Sequence, residues 1–302
     1  MTAVAQRLIS VNTAAIRRDR LIRIVGKIGL WLNPIFAYFF LWAPIVILIM
    51  FSFNSSRSVA RFTGFTLDWY QNIMNDVVGN EPNFSTELMI NSVKNSLIVS
   101  GIATMISTVL GTMVALSLVR GSFPGRRILN SVLFLPIVIP EITQGVSLAI
   151  FFNVLFRWWN GTTGSSLTFG LHTIIIAHVA FSISFVAIVV GARLADMNPR
   201  LEEAARDLGA TEWQTFWRIT FPLIFPGIIA GALLAFTLSL DDFVVTFFTK
   251  GVAQDTLPVF VFGLLKLTVT PEVNAISTMM VVVSTVLIGI SIMLQGRYAS
   301  QA

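Results

Sequence analysis

Long apolar runs alternate with short polar segments along the 302-residue chain. A transmembrane helix needs about 20 mostly apolar residues to cross roughly 30 Å of hydrocarbon. Because unpaired sheet edges are not tolerated in lipid, apolar stretches of that length are predicted to be helices. Six stretches qualify, at approximately 28–53, 95–119, 128–156, 170–192, 223–249 and 273–295. The pattern therefore predicts an all-α membrane protein with six transmembrane helices.

The third predicted span contains residues that disfavour a straight apolar helix. Pro136 and Pro140 remove backbone donors, and Glu141 places a carboxyl group near the middle of the span. We expect this span to be broken or kinked at these residues.

The basic residues are distributed unevenly among the polar segments. If the N-terminus is cytoplasmic, fourteen of the 20 Lys and Arg residues fall on the cytoplasmic side and six on the outer side. The positive-inside rule therefore predicts that both termini are cytoplasmic. Residues 1–27 are predicted to be a basic cytoplasmic segment, either a tail held by anionic membrane lipid or a docking helix. Residues 28–302 are predicted to form a single membrane domain whose first helix is retained.

The composition excludes several classes of function. The chain is 55% hydrophobic and has no cysteine, which excludes disulfides, thiolate catalysis and zinc fingers. The sequence contains no nucleophile with a base, no metal-ligand set and no P-loop, so neither a catalytic nor a metal site is predicted. The net charge of +5 lies in the polar segments of a membrane chain and does not indicate nucleic-acid binding.

The polar loop at about 198–222 has the signals of two short helices joined by a turn. Asn198 followed by Pro is typical of a helix start, and Gly209 is typical of a helix end. A second helix is predicted to begin after Thr211, which can cap it. The aromatic residues spaced along one face of this second helix are Trp213, Phe216 and Trp217.

The same loop contains a spaced motif: Glu203-Ala204-Ala205, Gly209, Ile219 and Pro222. This motif resembles the EAA loop of permease subunits in ABC (ATP-binding cassette) importers, with Phe221 in place of the family's Leu. The resemblance implies a type I ABC importer permease architecture and a loop that seats in a groove of a separate ATPase. Glu203 and Gly209 are the implied key positions for coupling. The alternative is a solvated connector that contains a common helical tripeptide.

Three carboxylates lie within the predicted spans, where no Lys or Arg is found: Glu141, Asp241 and Asp242. An ionisable residue at the bilayer centre costs about 2.5–3.5 kcal/mol, so unpaired acids are predicted to line a polar cavity. Fixed negative charge in such a cavity favours a cationic cargo. Because neighbouring helical residues are about 100° apart, Asp241 and Asp242 share one cavity only if the helix is distorted or one of them contacts a neighbouring subunit.

Four further motifs occur along the chain: Asn54-Ser-Ser, Gly64-Phe-Thr with Trp69-Tyr70, Phe236-Thr-Leu-Ser-Leu-Asp-Asp242, and Thr270-Pro-Glu-Val-Asn-Ala275. They resemble the spermidine/putrescine permease subunits over nearly the whole chain after residue 30. The residues that this resemblance implies in polyamine passage are Ser239, Asp241, Asp242, Glu141 and Trp69. Trp69 would contribute a cation–π contact to an ammonium group.

Some of these residues have alternative roles. Trp69 could anchor the protein at the lipid interface, and Glu141 could hydrogen-bond the backbone opened by the neighbouring prolines. His172 and His178 lie six positions apart in the fourth span, which is not a metal-binding spacing. They are interpreted as packed or hydrogen-bonded helix residues.

The resemblance also implies a set of partners. These are a second homologous permease subunit, two copies of a cytoplasmic ABC ATPase and a periplasmic polyamine-binding protein. ATP and Mg²⁺ would be bound by the ATPase, and this chain would be a non-catalytic subunit in the bacterial inner membrane with no cofactor of its own. Two rival functions remain open. One is the same architecture with ferric iron, thiamine or an opine as cargo, and the other is a proton-coupled secondary transporter.

Overall fold

A computed structural model describes residues 13–56, 61–75, 86–267 and 271–299 of the chain. Within these ranges the regular structure is helical, apart from an isolated antiparallel bridge between Asn54 and Phe65. The helices are α1 Thr13–Phe51, α2 Asp68–Met74, α3 Thr86–Arg120, α4 Arg126–Val138, α5 Glu141–Thr163, α6 Leu171–Asp196, α7 Arg200–Asp207, α8 Glu212–Thr215, α9 Phe221–Asp241, α10 Val244–Thr249, α11 Leu257–Leu267 and α12 Pro271–Ala299. A π-helical turn, Phe216–Thr220, joins α8 to α9. The predicted all-α class is confirmed.

The described helices account for four or five membrane spans. Helices α1, α3, α6 and the continuous segment that ends in α9 are each long and apolar enough to cross a membrane. The pair α4 and α5 meets the same requirement jointly, while the apolar part of α12, Pro271–Val286, is shorter. The six-span count and the cytoplasmic position of both termini therefore stay predictions.

The predicted boundary at residue 27 does not coincide with the start of a helix. Residues 13–27 are already part of α1, which continues without interruption to Phe51. Residues 1–12 of the predicted N-terminal segment, and Thr270 of the last motif, lie outside the described residues. The division of the chain into a basic segment and a membrane domain stays a prediction.

The predicted break in the third span is confirmed. Helix α4 ends at Val138, α5 begins at Glu141, and the chain bends by 110° between them. Pro140 stands at this corner and has no backbone N–H, so the helical hydrogen bond to the carbonyl of Pro136 is lost, which favours a break there. Two shorter helices therefore replace one straight span, and Glu141 lies at the corner.

The prediction of a continuous fifth span over 223–249 is wrong. Helix α9 ends at Asp241, and Asp242 has extended backbone angles (φ −63°, ψ 125°) before α10 begins at Val244. The side chain of Asp242 accepts hydrogen bonds from the N–H groups at the start of α10. An acidic side chain in this position caps a helix and favours a new helix start there.

Helices α3, α6 and α9 form the packed core beside these two breaks. Val186 of α6 is fully buried and contacts the positions of Gly111 in α3 and Gly231 in α9. Glycine at these positions lets the helix backbones approach closely, which is a principal source of helix packing in lipid. The core thereby fixes α6 and α9, which carry residues of the site described below.

We predict that Gly111→Ala destabilises the protein. A Cβ atom at Gly111 would lie 2.7 Å from Val186 Cβ and 3.0 Å from the carbonyl oxygen of Ile183, so α3 and α6 would have to separate. Overpacking of this kind costs about 1–3 kcal/mol, and it should lower the thermal unfolding midpoint of the purified protein in detergent.

Gly101→Ala, in the same helix α3, is the matched control, because a Cβ atom at Gly101 would meet no atom within 4 Å. That variant should keep or raise the midpoint, since alanine is the better helix former. Equal midpoints for the two variants would contradict the packing described for Gly111.

Candidate functional site

The two broken spans face a common cavity of about 370 Å³. The end of α4 and the start of α5 form one side, and the end of α9 with the start of α10 forms another. Two phenylalanines of α6, Phe181 and Phe185, complete the lining. The remaining lining residues are Pro136, Ile137, Ile139, Glu141, Gln144, Leu238, Asp241, Asp242, Phe243, Val244 and Val245.

Two carboxylates of this cavity are accessible. Glu141 is the first residue of α5 and Asp241 is the last residue of α9, and both are exposed. Within the described part of the chain, the Glu141 side chain has no hydrogen bond or ion pair. The predicted carboxylate-lined cavity is therefore present, with one acid contributed by each broken span.

Gln144 satisfies the backbone at the corner between α4 and α5. Because Pro140 lacks an N–H, the carbonyl of Pro136 has no donor in its own helix. The Gln144 amide donates to the carbonyl oxygens of Pro136 (2.6 Å) and Ile139 (2.8 Å). The alternative role considered for Glu141, hydrogen bonding to this backbone, is thus filled by Gln144, and Glu141 remains available to the cavity.

Asp242 differs from Asp241 in having its carboxylate occupied. Its Oδ2 accepts hydrogen bonds from the backbone N–H and the hydroxyl of Thr246, both at 2.8 Å. Its side chain is only 7% exposed. Asp242 is therefore a helix cap as well as a wall of the cavity.

His178 of α6 joins the elements around this cap. The ring is fully buried, with Nδ1 2.7 Å from Ser239 Oγ and Nε2 2.9 Å from Thr246 Oγ1. Nε2 also lies 3.2 Å from Asp242 Oδ2. The interpretation of His178 as a hydrogen-bonded helix residue is confirmed, whereas the expectation that both aspartates lack a partner is wrong for Asp242.

The break between α9 and α10 resolves the question posed by the two adjacent aspartates. A regular helix would point them about 100° apart, and the chain instead leaves the helical path at Asp242. Asp241 stays on α9 facing the cavity, and Asp242 turns back onto α10 and His178. The distortion predicted as a condition for a shared cavity is present.

The structure places Trp69 and Ser239 away from the cavity lining. Trp69 is buried in a cluster with Ile73 and Phe260, and its indole N–H donates to the Asn54 carbonyl at 2.7 Å. Ser239 is buried and directed at His178. A part for either residue in polyamine passage stays a prediction.

Sequence reasoning missed three contributors to the site: His178, Thr246 and Gln144. His178 carried a usable signal, because a histidine inside an apolar span needs polar partners. The Ser and Asp residues of the fifth span were the natural candidates for those partners. Gln144 also had a signal, since it follows Pro140 by one helical turn.

The predicted turn between two short helices in the loop at 198–222 is confirmed, and we call it the elbow. Gly209 adopts a left-handed φ of +84° after α7. The N–H groups of Gly209 and Ala210 donate to the carbonyls of Arg206 and Ala205, which is the Schellman pattern of helix termination. The hydroxyl of Thr211 caps α8 as predicted.

The motif residues of this loop differ in their exposure. Glu203, Ala204, Gly209 and Pro222 are exposed, Ala205 is buried and Ile219 is half-buried. The predicted aromatic stripe is confirmed by the rings of Trp213 and Trp217, whose centroids are 5.5 Å apart. Phe221, the departure from the family pattern, extends this stripe with its ring 4.8 Å from Trp217.

Two spans broken at acidic residues around one cavity, together with this exposed elbow, define a helical membrane-transport subunit. The chain belongs to the family described as the binding-protein-dependent transport system inner membrane component, whose model matches residues 107–301. This family comprises permease components of ABC transporters. The family resemblance drawn from the EAA loop is confirmed, and so is the inner-membrane location.

Relatives and solved structures agree with this assignment. The putrescine transport system permease protein PotI of Escherichia coli strain K12 is 39% identical over 241 residues, covering 80% of this chain and 81% of that protein. The spermidine/putrescine transport system permease protein PotC of Haemophilus influenzae is 34% identical over 254 residues, covering 84% of this chain and 91% of that protein. A bacterial ABC transporter involved in the import of the acidic polysaccharide alginate has the same fold, with a TM-score of 0.70 at 20% identity over 93% of this chain and 99% of that chain.

We predict that His178→Ala destabilises the junction between α9 and α10. The variant removes the ring partner of Ser239 and Thr246. Thr246 keeps its bond to Asp242, but the buried Ser239 hydroxyl loses its partner, and a buried polar group left unpaired costs about 1–3 kcal/mol. Thermal unfolding of the purified protein should show a lower midpoint. His172→Ala is the matched control because His172 is exposed, and an equal midpoint for both variants would contradict the network around His178.

Proposed function

We propose that this chain is the permease subunit through which an ATP-driven importer passes polyamines such as putrescine and spermidine across the inner membrane. The observation that carries the proposal is the placement of Glu141 and Asp241 on one cavity between two broken spans. The relatives PotI and PotC, a putrescine and a spermidine/putrescine transport system permease protein, support the same cargo class.

The chemistry of the cavity suits an aliphatic polycation. Carboxylates stabilise ammonium groups, and the lining residues of this cavity include no Lys or Arg that would repel them. Phe181, Phe185 and Phe243 offer apolar surface for methylene groups and aromatic faces for a cation–π contact.

The position of the two acids provides a route to release. Glu141 and Asp241 belong to different spans, so a movement of α9 relative to α5 changes their separation. A cargo with two ammonium groups is bound best at one separation and more weakly at another. Weak, state-dependent binding is what passage through a membrane requires.

The proposal includes three kinds of partner. A second homologous permease completes the pathway, two copies of a cytoplasmic ATPase bind ATP and Mg²⁺, and a periplasmic binding protein delivers the cargo. The loop at 198–222 couples this chain to the ATPase. The exposed Glu203 and the left-handed Gly209 support that role because they present a structured elbow to a partner.

We predict that Asp241→Asn and Glu141→Gln each lower putrescine uptake. A hydrogen bond to a charged group contributes about 1.5–3 kcal/mol, so losing one charge should reduce uptake at low cargo concentration by about tenfold or more. Uptake of labelled putrescine and spermidine into proteoliposomes that contain the assembled transporter measures the effect. Asp68→Asn is the matched control, since Asp68 is an exposed acid outside the cavity.

Unchanged uptake in both cavity variants would contradict the cation pathway. Uptake of ferric iron, thiamine or an opine in place of polyamine would favour the other-cargo rival. Uptake driven by a pH gradient without ATP would favour the secondary transporter.

We predict that Glu203→Ala and Gly209→Ala weaken association with the ATPase. A Cβ atom at Gly209 meets no atom within 4 Å, so the cost arises from the positive φ alone and amounts to about 1–2 kcal/mol. Co-purification of the ATPase with this chain measures the effect. Gly161→Ala, which also meets no atom within 4 Å and has no positive φ, should behave as the parent protein. Undiminished co-purification in both loop variants would refute the coupling role.

A further inference from the structure

Glu202, the residue before the EAA motif, connects three parts of the membrane domain. It is the third residue of α7 and is buried, with 8% of its surface exposed. Its Oε2 lies 3.1 Å from Nε of Arg120, the last residue of α3. Its Oε1 accepts a hydrogen bond of 2.8 Å from the hydroxyl of Thr220, which closes the π-helical turn before α9.

The adjacent acids Glu202 and Glu203 point in different directions. Consecutive residues of a helix are about 100° apart, so one side of α7 carries Glu203 outward while Glu202 faces the protein. Glu203 is exposed, and Glu202 has both oxygens engaged by its own chain. The exposed acid is available to an outside partner, whereas the buried acid is not.

The contact of Glu202 with Thr220 leads directly to the cavity. Thr220 is followed by α9, whose far end carries Leu238 and Asp241. Glu202 therefore joins α7 to the start of α9 through a hydrogen bond and to the end of α3 through an ion pair. Buried ion pairs add little net stability because desolvation offsets their attraction, but they hold groups in a defined geometry.

We propose that Glu202 is a positioning residue that transmits movement of the coupling helix α7 to α3 and α9, with Arg120 and Thr220 as its two attachment points. The π-helical turn at Thr220 supports this role, since such turns are frequently found at functional positions. This proposal rests on the proposed ATP-driven function and goes beyond it. It assigns the transmission of movement to a residue whose two carboxylate oxygens are engaged within its own chain.

The test uses the complete transporter with its ATPase in lipid nanodiscs. This chain has no cysteine, so Leu238→Cys gives it a single thiol. This thiol lies at the cavity and serves as the reporter. Every variant carries Leu238→Cys, and the rate at which this thiol is modified is measured with and without ATP. ATPase co-purification is measured in parallel, and neither readout depends on the identity of the cargo.

The variants separate the two attachment points. Glu202→Gln and Arg120→Gln remove the ion pair, and Thr220→Val removes the hydroxyl donor while Thr220→Ser keeps it. We expect each of the first three to reduce the ATP-dependent change in modification rate about fivefold or more, with ATPase co-purification retained. Thr220→Ser should show the same ATP-dependent change in modification rate as the Leu238→Cys protein without further substitutions. So should Asp196→Asn, which changes an exposed acid at the end of α6 outside this contact.

The double variant Glu202→Gln with Arg120→Gln should be no worse than either single variant, because both remove the same contact. A full ATP response in Glu202→Gln and Thr220→Val would overturn the proposal. Loss of ATPase co-purification comparable to that of Glu203→Ala would also overturn it, because it would make Glu202 a docking residue. If ATP does not change the modification rate even in the Leu238→Cys protein without further substitutions, both the proposed function and this proposal are overturned. If that protein responds to ATP and the Glu202 and Thr220 variants respond equally, only this proposal is overturned.

Discussion

The cap that Asp242 forms on α10 is the interaction on which the site depends. Its carboxylate accepts the backbone and side-chain hydrogen bonds of Thr246, and His178 lies against the same oxygen. The N–H groups at the start of α10 have no acceptor within their own helix, and Asp242 provides one in an apolar environment. Both neighbouring aspartates line the cavity, but the carboxylate of Asp242 is engaged within the chain whereas Asp241 is exposed.

The break between α4 and α5, at another side of the cavity, also needs a side chain that satisfies backbone groups. Lipid provides no hydrogen bonds, so a broken helix is tolerated only where side chains satisfy the freed backbone groups. Gln144 does this for the carbonyls of Pro136 and Ile139, as Asp242 does for α10. Each break therefore has its own polar residue for the backbone, which leaves Glu141 and Asp241 free for another task. Two polar residues with different surroundings also occur in the loop at 198–222, where Glu202 is hydrogen-bonded within the chain and Glu203 is exposed.

Much of this organisation could be predicted from the sequence. The apolar stretches located the long helices, the two prolines located the bend before Glu141, and Gly209 with Thr211 located the elbow. The break at Asp242 was not predictable from hydropathy, because the apolar residues continue through α10 and hide a cap provided by a single side chain. The burial of Glu202 was also hidden, since its contacts with Arg120 and Thr220 depend on how distant segments pack. The burial of Trp69 and the hydrogen bond from its indole N–H to Asn54 were not predictable from its motif either, since they depend on the packing of the outer segment.

A structure of the assembled transporter with bound putrescine would show directly whether Asp241 and Glu141 bind the cargo. We expect the two ammonium groups to lie within hydrogen-bonding distance of the Asp241 and Glu141 carboxylates, while Asp242 keeps its bonds to Thr246. Cargo bound by Asp242 in place of Thr246 and His178, or a fifth span that runs unbroken through Asp242, would contradict it.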